Sequence, residues 1–319
     1  MAKQPPIRIG TRASRLAQTQ SRLMQARIAA AIGPGEAAED VAPLVLITTS
    51  GDRIQDRRLL EAGGKGLFVK ELEEALMDGR IDCAVHSMKD VPAELPAGLL
   101  IAAIPEREDP RDALISQDDA RLDELPPGAR IGTASLRRQA QTLYRRPDLK
   151  IEMLRGNVET RLKRLDEGAF DAILLAMAGL KRLGLDARVT QLIDPIAAPP
   201  APGQGALAIE VRAEDRDAPW LAALHHAPTA VAVAAERGAL QALEGSCRTP
   251  IGAYARIDSG LIDAGRLELI VEALSPDGRE RFRGQGGLEA SASEAAAFEM
   301  GLGIGKRIRD EAGDRIIWA

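Results

Sequence analysis

Short apolar runs of strand length alternate with longer stretches in which apolar residues return every three or four positions. Ile7–Ile9, Leu44–Thr48 and Ile81–Val85 are the strand-like runs, and Leu16–Ala31 and Leu67–Met77 the helix-like ones. Within the last, Leu67, Val69, Leu72 and Leu76 keep close to helical spacing. This rhythm predicts an α/β architecture. It restarts beyond "IPEREDPRDALIS": a short strand at Ile131, a helix over Ser135–Arg146 closed by Pro147, a strand over Lys150–Leu154, a helix over Val158–Glu167 and an apolar strand over Phe170–Ala176. Two similar units therefore lie in tandem, joined near Pro105–Pro110. The proline-rich "DPIAAPPAPGQG" (194–205) marks a second boundary, and the strand Ala206–Val211 beyond it is placed to return to the first unit. Two such crossings would make a hinged pair of lobes with a cleft between them.

From Ala230 the texture changes. A helix over Ala230–Leu243 leads to a loop around Cys247. A strand follows at Leu267–Leu274, with an "SPDG" turn and Arg279–Arg283 as its hairpin partner. An alanine-rich helix near Ala292–Arg309 comes last. The expected fold is α/β: two tandem doubly wound, periplasmic-binding-protein-like lobes with a cleft, plus a small α+β C-terminal domain. The expected boundaries are 1–104 with 205–224, then 105–204, then 225–319.

Composition narrows the class. The chain has 319 residues, 45% hydrophobic and 28% charged, which is ordinary for a soluble globular protein. No apolar run approaches the length of about 18 residues that suggests a membrane span. "MAKQPPIRIG" lacks the apolar stretch of a signal peptide. Two distant cysteines make no disulfide framework, so a cytoplasmic protein with reduced thiols is expected. The net charge is −5, yet ten basic and only three acidic residues lie between Arg130 and Arg164. That contrast points to a local anion site rather than a basic exterior. Aromatic content of 3% leaves few stacking platforms, which argues against a nucleic-acid partner.

Three strand-to-helix junctions share one design. "IRIGTRASRLAQ", "IGTASLRRQAQ" and "MLRGNVETRL" each combine a helix N-terminus, a hydroxyl or amide cap and one or more arginines. Free N–H groups and the helix dipole attract anions there, and arginine adds a bidentate fork for carboxylates. Capping with solvated arginines is the plainer reading of any one junction, but in an open α/β sheet all three would face the carboxyl edge. "GGKGLFVKELE" (63–73) brings Lys65 into another glycine-rich helix entry without the Walker spacing. "GLGIGK" (301–306) also fails that pattern and reads as part of the terminal helix. In "DCAVHSMKDVP" a buried strand runs out into Ser87, Lys89 and Asp90. Cys83 and His86, three apart on a strand, point to opposite faces, and with three histidines in all no metal site is expected. Cys247, among Gly245, Ser246, Arg248 and Thr249, is an inert thiol, a nucleophile lacking an assigned histidine, or a covalent anchor for a cofactor.

Together these stretches resemble the porphobilinogen deaminases (hydroxymethylbilane synthases). The resemblance runs in order through "GTRASRLA", "TTSGD", "GGKGLFVKELEEAL", "AVHSMKDVP", "GTASLRRQ", "LRGNVETRL", "AGLKRL", "PGQGALAIE" and "LEGSCRTPIG". It implies a dipyrromethane cofactor held by a thioether on Cys247 and a catalytic Asp90. It also implies cofactor contacts from Asp52, Lys65, Ser87, Lys89, Ser135, Arg137 and Arg138, and substrate contacts from Arg12, Ser14, Arg155, Arg161, Arg182 and Gln204. The chain departs from the family at two places. Glu61 stands where many members carry a lysine, and Ser246 replaces the second glycine of the usual Leu-Glu-Gly-Gly-Cys loop. Serine is small enough for that loop unless its backbone needs positive φ.

The resemblance and the arginine cluster fit one chemistry. Porphobilinogen carries an acetate and a propionate, so a growing chain of four units accumulates negative charge. The implied protein is a monomeric transferase of porphyrin and haem biosynthesis with no nucleic-acid or membrane partner. The alternative is a non-catalytic two-lobed anion-binding protein.

Overall fold

The computed structural model describes residues 5–53, 69–243, 249–258 and 265–316, the side chains of 52, 53 and 258 excepted. In chain order the first elements are β1 (Ile9–Arg12), α1 (Arg15–Ile32), α2 (Ala38–Val41), β2 (Leu44–Ile47), α3 (Ser50–Arg53), α4 (Lys70–Met77), β3 (Cys83–Ser87) and β4 (Leu99–Ala103). Next come β5 (Asp112–Ser116), β6 (Arg130–Gly132), α5 (Leu136–Arg145), β7 (Lys150–Glu152), α6 (Val158–Asp166), β8 (Ala172–Ala176), α7 (Met177–Leu183) and β9 (Gln191–Leu192). The chain closes with β10 (Leu207–Arg212), α8 (Ala227–Ala242), β11 (Ile251–Asp258), β12 (Arg266–Leu274), β13 (Arg281–Glu289) and α9 (Glu294–Ala312).

Two compact units result. The first takes its described residues from 5–53, 69–107 and 206–230. Its sheet has the order β2-β1-β3-β10-β4. β1 is parallel to β2 and β3, and β10 runs antiparallel between β3 and β4. Because side chains alternate along a strand, each face has its own core. Ile9, Cys83 and Val85 pack with Met24 and Ile28 of α1 on one face. Ala84 packs with Leu72, Ala75, Leu76 and Ile81 on the other, beside α4. A Cβ on Gly10 would meet the end of the Ile81 side chain, so this layer packs closely on β1 and any larger residue there would make Ile81 shift.

The second unit takes 108–205 and 231–316. Its larger sheet, β7-β6-β8-β5-β9, repeats the first strand for strand. β6 is parallel to β7 and β8, and β5 is antiparallel to β8 and β9. The expected return of 206–211 to the first sheet is observed as β10. Its counterpart β5 falls in the stretch read from sequence as a junction. The remaining sheet is an antiparallel meander, β11-β12-β13. Its buried face packs on α8 and α9 through Ala235, Ala239, Leu269, Val271, Ile304 and Ile308.

The differences from the sequence reading have local causes. β5 opens on a polar residue and α7 and β9 are short, so periodicity did not announce them, whereas β4, LLIAA, is as long and as apolar as β8 and was passed over. β3 reaches Ser87, two residues beyond the expected end, because Leu207↔Ser87 and Ala208↔His86 extend its pairing with β10. β13 begins at Arg281 and runs through "RGQGG" to Glu289, well past the expected hairpin partner Arg279–Arg283. Gly284 and Gly286 lie directly beneath Ile304 of α9, so missing side chains there make room for the helix. "GLGIGK" lies inside α9, as its sequence pattern suggested.

Candidate anion and active-site residues

In the first unit, β1 and β3 are adjacent and parallel, so the segments leaving them lie at one carboxyl edge. Arg12 ends β1, half-buried. Ser14 is the N-cap of α1 and accepts a hydrogen bond from the Ala17 N–H at 3.3 Å. Ser87 ends β3, and its Oγ accepts from Gln20 Nε2 of α1 at 3.1 Å. One turn of 3₁₀ helix, Met88–Asp90, comes next. Met88 is buried and its N–H donates to Ala206 O at 3.0 Å, which pins the turn to the start of β10. Lys89 and Asp90 are exposed beyond that anchor. Asp52 falls in α3, after β2 and so at the same edge, with its side chain outside the described residues. Lys65, Glu61, Ser246 and Cys247 also lie outside them.

The second unit repeats the arrangement with arginine. Ser135 caps α5, accepting from the Arg138 N–H at 3.4 Å. Asn157 caps α6, accepting from the Thr160 N–H at 2.7 Å, after Gly156 at φ +111. These two helices come directly after the parallel strands β6 and β7, so both N-termini open at one edge. Arg155 Nη1 is buried there without a hydrogen-bond partner. Arg161 donates from Nε to Gly156 O at 2.9 Å. Burial, then the nearby Arg138 and Arg155, push its pKa down to about 10. Arg182, on α7 after β8, donates to Gly205 O at 2.7 Å, and burial likewise pushes it down to about 10 against the opposing pull of Glu108.

Arg137 and Arg138 are placed differently from free anion ligands. Both are buried and both bind Asp112, the first residue of β5. Asp112 Oδ2 accepts from Arg137 Nη1 at 2.6 Å, and Oδ1 accepts from Arg138 Nη2 at 2.8 Å and Nε at 3.0 Å. Gln204 Nε2 donates to the same Oδ1 at 2.9 Å and to Pro110 O at 2.7 Å. Asp112 is fully buried, which alone would raise its carboxyl. The two guanidinium groups more than reverse that and hold it well below the usual carboxylate range. Sequence reasoning passed over Asp112. The available signal was a carboxylate opening an apolar run, "DALIS", which a strand buries only with a partner.

Arg155 and Arg161 have no carboxylate partner among the described residues, and Arg137 and Arg138 share one between them. Positive charge is therefore left uncompensated beside two helix N-termini, and anionic carboxylates are what such a place holds. A dipyrromethane, with carboxylates on both rings, fits this donor set. The buried, unpartnered Arg155 Nη1 is the observation that says so.

A family model described as porphobilinogen deaminase, dipyromethane cofactor binding domain, matches residues 7–219. A second, porphobilinogen deaminase, C-terminal domain, matches residues 230–310. The chain is similar to a porphobilinogen deaminase of Phenylobacterium zucineum (strain HLK1), 64% identical over 324 residues, covering 99% of this chain and 100% of the relative. One from Caulobacter vibrioides (strain NA1000 / CB15N) is 62% identical, covering 99% of each. One from Ralstonia nicotianae (strain ATCC BAA-1114 / GMI1000) is 50% identical over 314 residues, covering 97% of this chain and 91% of the relative.

Proposed function

This chain belongs to the porphobilinogen deaminase family, and from that premise we propose that it works as a hydroxymethylbilane synthase. The observation that carries the reading is the partly uncompensated arginine group of the second unit, with its orphaned Arg155 donor. A substrate bearing two carboxylates per unit is what that group would hold. Arg12, Ser14, Arg155, Arg161, Arg182 and Gln204 are assigned to the substrate carboxylates. Ser87, Lys89, Ser135, Arg137, Arg138, Asp52 and Lys65 are assigned to a dipyrromethane tethered to Cys247. When bound, that group supplies a covalently held pyrrole whose free α-carbon primes the chain.

The residues then divide the chemistry. Ammonia leaves the aminomethyl carbon of porphobilinogen as its C–N bond breaks, and the pyrrole is left electron-poor and positively charged. Asp90, an exposed carboxylate on a turn anchored by buried Met88, is assigned to stabilise that charge at the pyrrole N–H. It also moves the proton between the departing amine and the α-carbon that forms the new C–C bond. After four additions water releases the linear tetrapyrrole. The working division is into three domains, 1–104 with 205–224, 105–204 and 225–319, consistent with three sheets and separate apolar clusters. The protein is proposed to be a cytoplasmic monomer without nucleic-acid or membrane partners. No described helix is long and apolar enough to cross a membrane.

Intact mass of the denatured protein tests the reading. The expected result is an excess equal to one dipyrromethane, absent from Cys247→Ser. An unmodified mass from cells that make porphobilinogen, with no consumption of added porphobilinogen, would leave a non-catalytic anion-binding protein instead.

A further inference from the structure

α5, which carries Arg137 and Arg138, is not held by its own sheet alone. Within the second unit it also lies against the meander. Gln139 Nε2 donates to Pro276 O in the β12–β13 turn at 3.1 Å. Gly278 of that turn comes so close that a Cβ there would collide with the Ala140 carbonyl and the Tyr144 backbone nitrogen.

One buried carboxylate carries this contact inward. Glu272 of β12 is fully buried. Its Oε2 accepts from Arg281 Nη2 at 2.7 Å and Nε at 3.0 Å, and its Oε1 accepts from Gln141 Nε2 at 2.6 Å. Arg281 also donates to Ala197 O at 2.8 Å and lies over the Tyr144 ring, 4.8 Å from its centre. Gln141 Nε2 donates as well to Pro199 O at 2.8 Å. β11 sets that segment in turn. A Cβ on Gly252 would meet Pro199 O, and the Ala253 N–H donates to Pro200 O at 2.9 Å.

At the other end of the amide, Gln141 Oε1 accepts from Arg137 Nη1 at 2.8 Å, one turn back on α5. The flanking groups force this orientation. A guanidinium only donates and a carboxylate only accepts, so an amide between them turns its oxygen to Arg137 and its nitrogen to Glu272. Asp112 holds Arg137 from one side, through Nη1 at 2.6 Å and Nη2 at 3.3 Å, and is shared with Arg138 and Gln204. Gln141 supplies the second close acceptor, beside a longer contact of 3.3 Å from Nη1 to Pro199 O. Because a guanidinium is planar, fixing Nη1 and Nη2 also fixes the direction of Nε. That Nε is buried without a hydrogen-bond partner, a donor left over for an anion.

We propose that Gln141 and Glu272 are positioning residues for Arg137: through them the meander holds this guanidinium in the plane that keeps its Nε available to a dipyrromethane carboxylate. The link to the dipyrromethane rests on the function proposed above. The relay from Glu272 to Arg137 does not.

A purely structural ion pair would behave differently. Replacing a buried pair by apolar side chains of similar volume often leaves stability unchanged or raises it. Glu272→Met combined with Arg281→Met should therefore keep the parent Tm, yet it strips Gln141 of its charged acceptor. Glu272→Gln does the reverse. It keeps an acceptor oxygen for Gln141 and gives up Arg281, which is part-exposed and can turn to water.

NMR of the full-length protein with isotope-labelled arginine reads Arg137 directly, its side-chain N–H signals being assigned by their loss in Arg137→Lys. In the parent they should exchange slowly with solvent. In the double Met variant, and in Gln141→Met, exchange should be about tenfold faster, the scale of one lost hydrogen bond to a charged group. Combining the three substitutions should add little, since they act on one path. Glu272→Gln should lose Tm and keep the parent exchange rate. By intact mass, the share of molecules carrying a dipyrromethane should fall in the first two variants and recover in Glu272→Gln. kcat should fall with KM for porphobilinogen unchanged, because Arg137 is assigned to the cofactor and not to the incoming unit. Parent-like Arg137 exchange in a folded Gln141→Met, or exchange that simply follows Tm across the variants, overturns the relay. If the double Met variant does not fold, Gln141→Met decides. Faster exchange with full loading and parent kcat overturns the link to the cofactor. A parent that lacks the dipyrromethane mass and consumes no porphobilinogen overturns the enzymatic reading, while the exchange rates still decide the relay.

Discussion

Asp112 shows how one buried carboxylate can organise a site that looks, in sequence, like arginine alone. It binds Arg137, Arg138 and Gln204 at once, so removing it strands two buried cations. Asp112→Ala should cost about 3–5 kcal/mol of stability in urea melts, the range for breaking a buried ion pair. Its depressed carboxyl sets the sign with pH. The stabilisation is fully present above the ordinary carboxylate range and is lost as pH falls below it toward the folded value. Acid melts of the parent should therefore lose stability there, and the variant should show a smaller slope. Asp90 is the opposite case. It is exposed, so Asp90→Ala should change stability by no more than about 0.5 kcal/mol. Turnover should fall by at least about 100-fold, the scale of a lost proton-transfer group. Near-normal kcat in that folded variant would remove Asp90 from the mechanism.

At the scale of elements, the helix caps were legible. Ser14, Ser135 and Asn157 each cap the helix that the sequence placed after them, because capping depends on the next three residues only. The glycines of α9 were not explained by local rules. Gly301 and Gly305 face Ala235 and Ala239 of α8, and Gly238 of α8 faces Phe298. A Cβ on Gly301 would collide with the Ala235 carbonyl. Intrinsic propensity favours alanine over glycine in a helix by about 1 kcal/mol, but the close approach should win. Gly301→Ala is expected to destabilise by about 1–3 kcal/mol in thermal melts, as overpacking does. A stabilised variant would mean that the helices separate at little cost.

At the scale of the molecule, each α/β sheet is completed by a strand at the far side of a crossing. β5 comes after the first lobe's strands in sequence yet pairs with β8, and β10 comes after the second lobe's strands yet lies between β3 and β4. A chain ending at residue 205 lacks β10, the strand joining β3 to β4 in the first sheet. Its β3 amides should lose protection in hydrogen exchange relative to the full chain. Retained protection would show that the sheet closes without its inserted strand.

Much was fixed by sequence alone: the tandem strand–helix rhythm, the capped junctions, the local excess of arginine and the ordered family motifs. These depend on neighbours within a turn or two, or on motif order, so a linear reading holds them. Tertiary structure decided which charges meet. That Arg137 and Arg138 share Asp112, that Arg155 keeps a buried donor unpaired, and that His86 meets Glu210 all depend on strand register and layer packing. The physical reason is that burial and pairing, which set the chemistry of a charged side chain, are made by residues far away in sequence: Asp112 and Gln204 are 92 positions apart, His86 and Glu210 124.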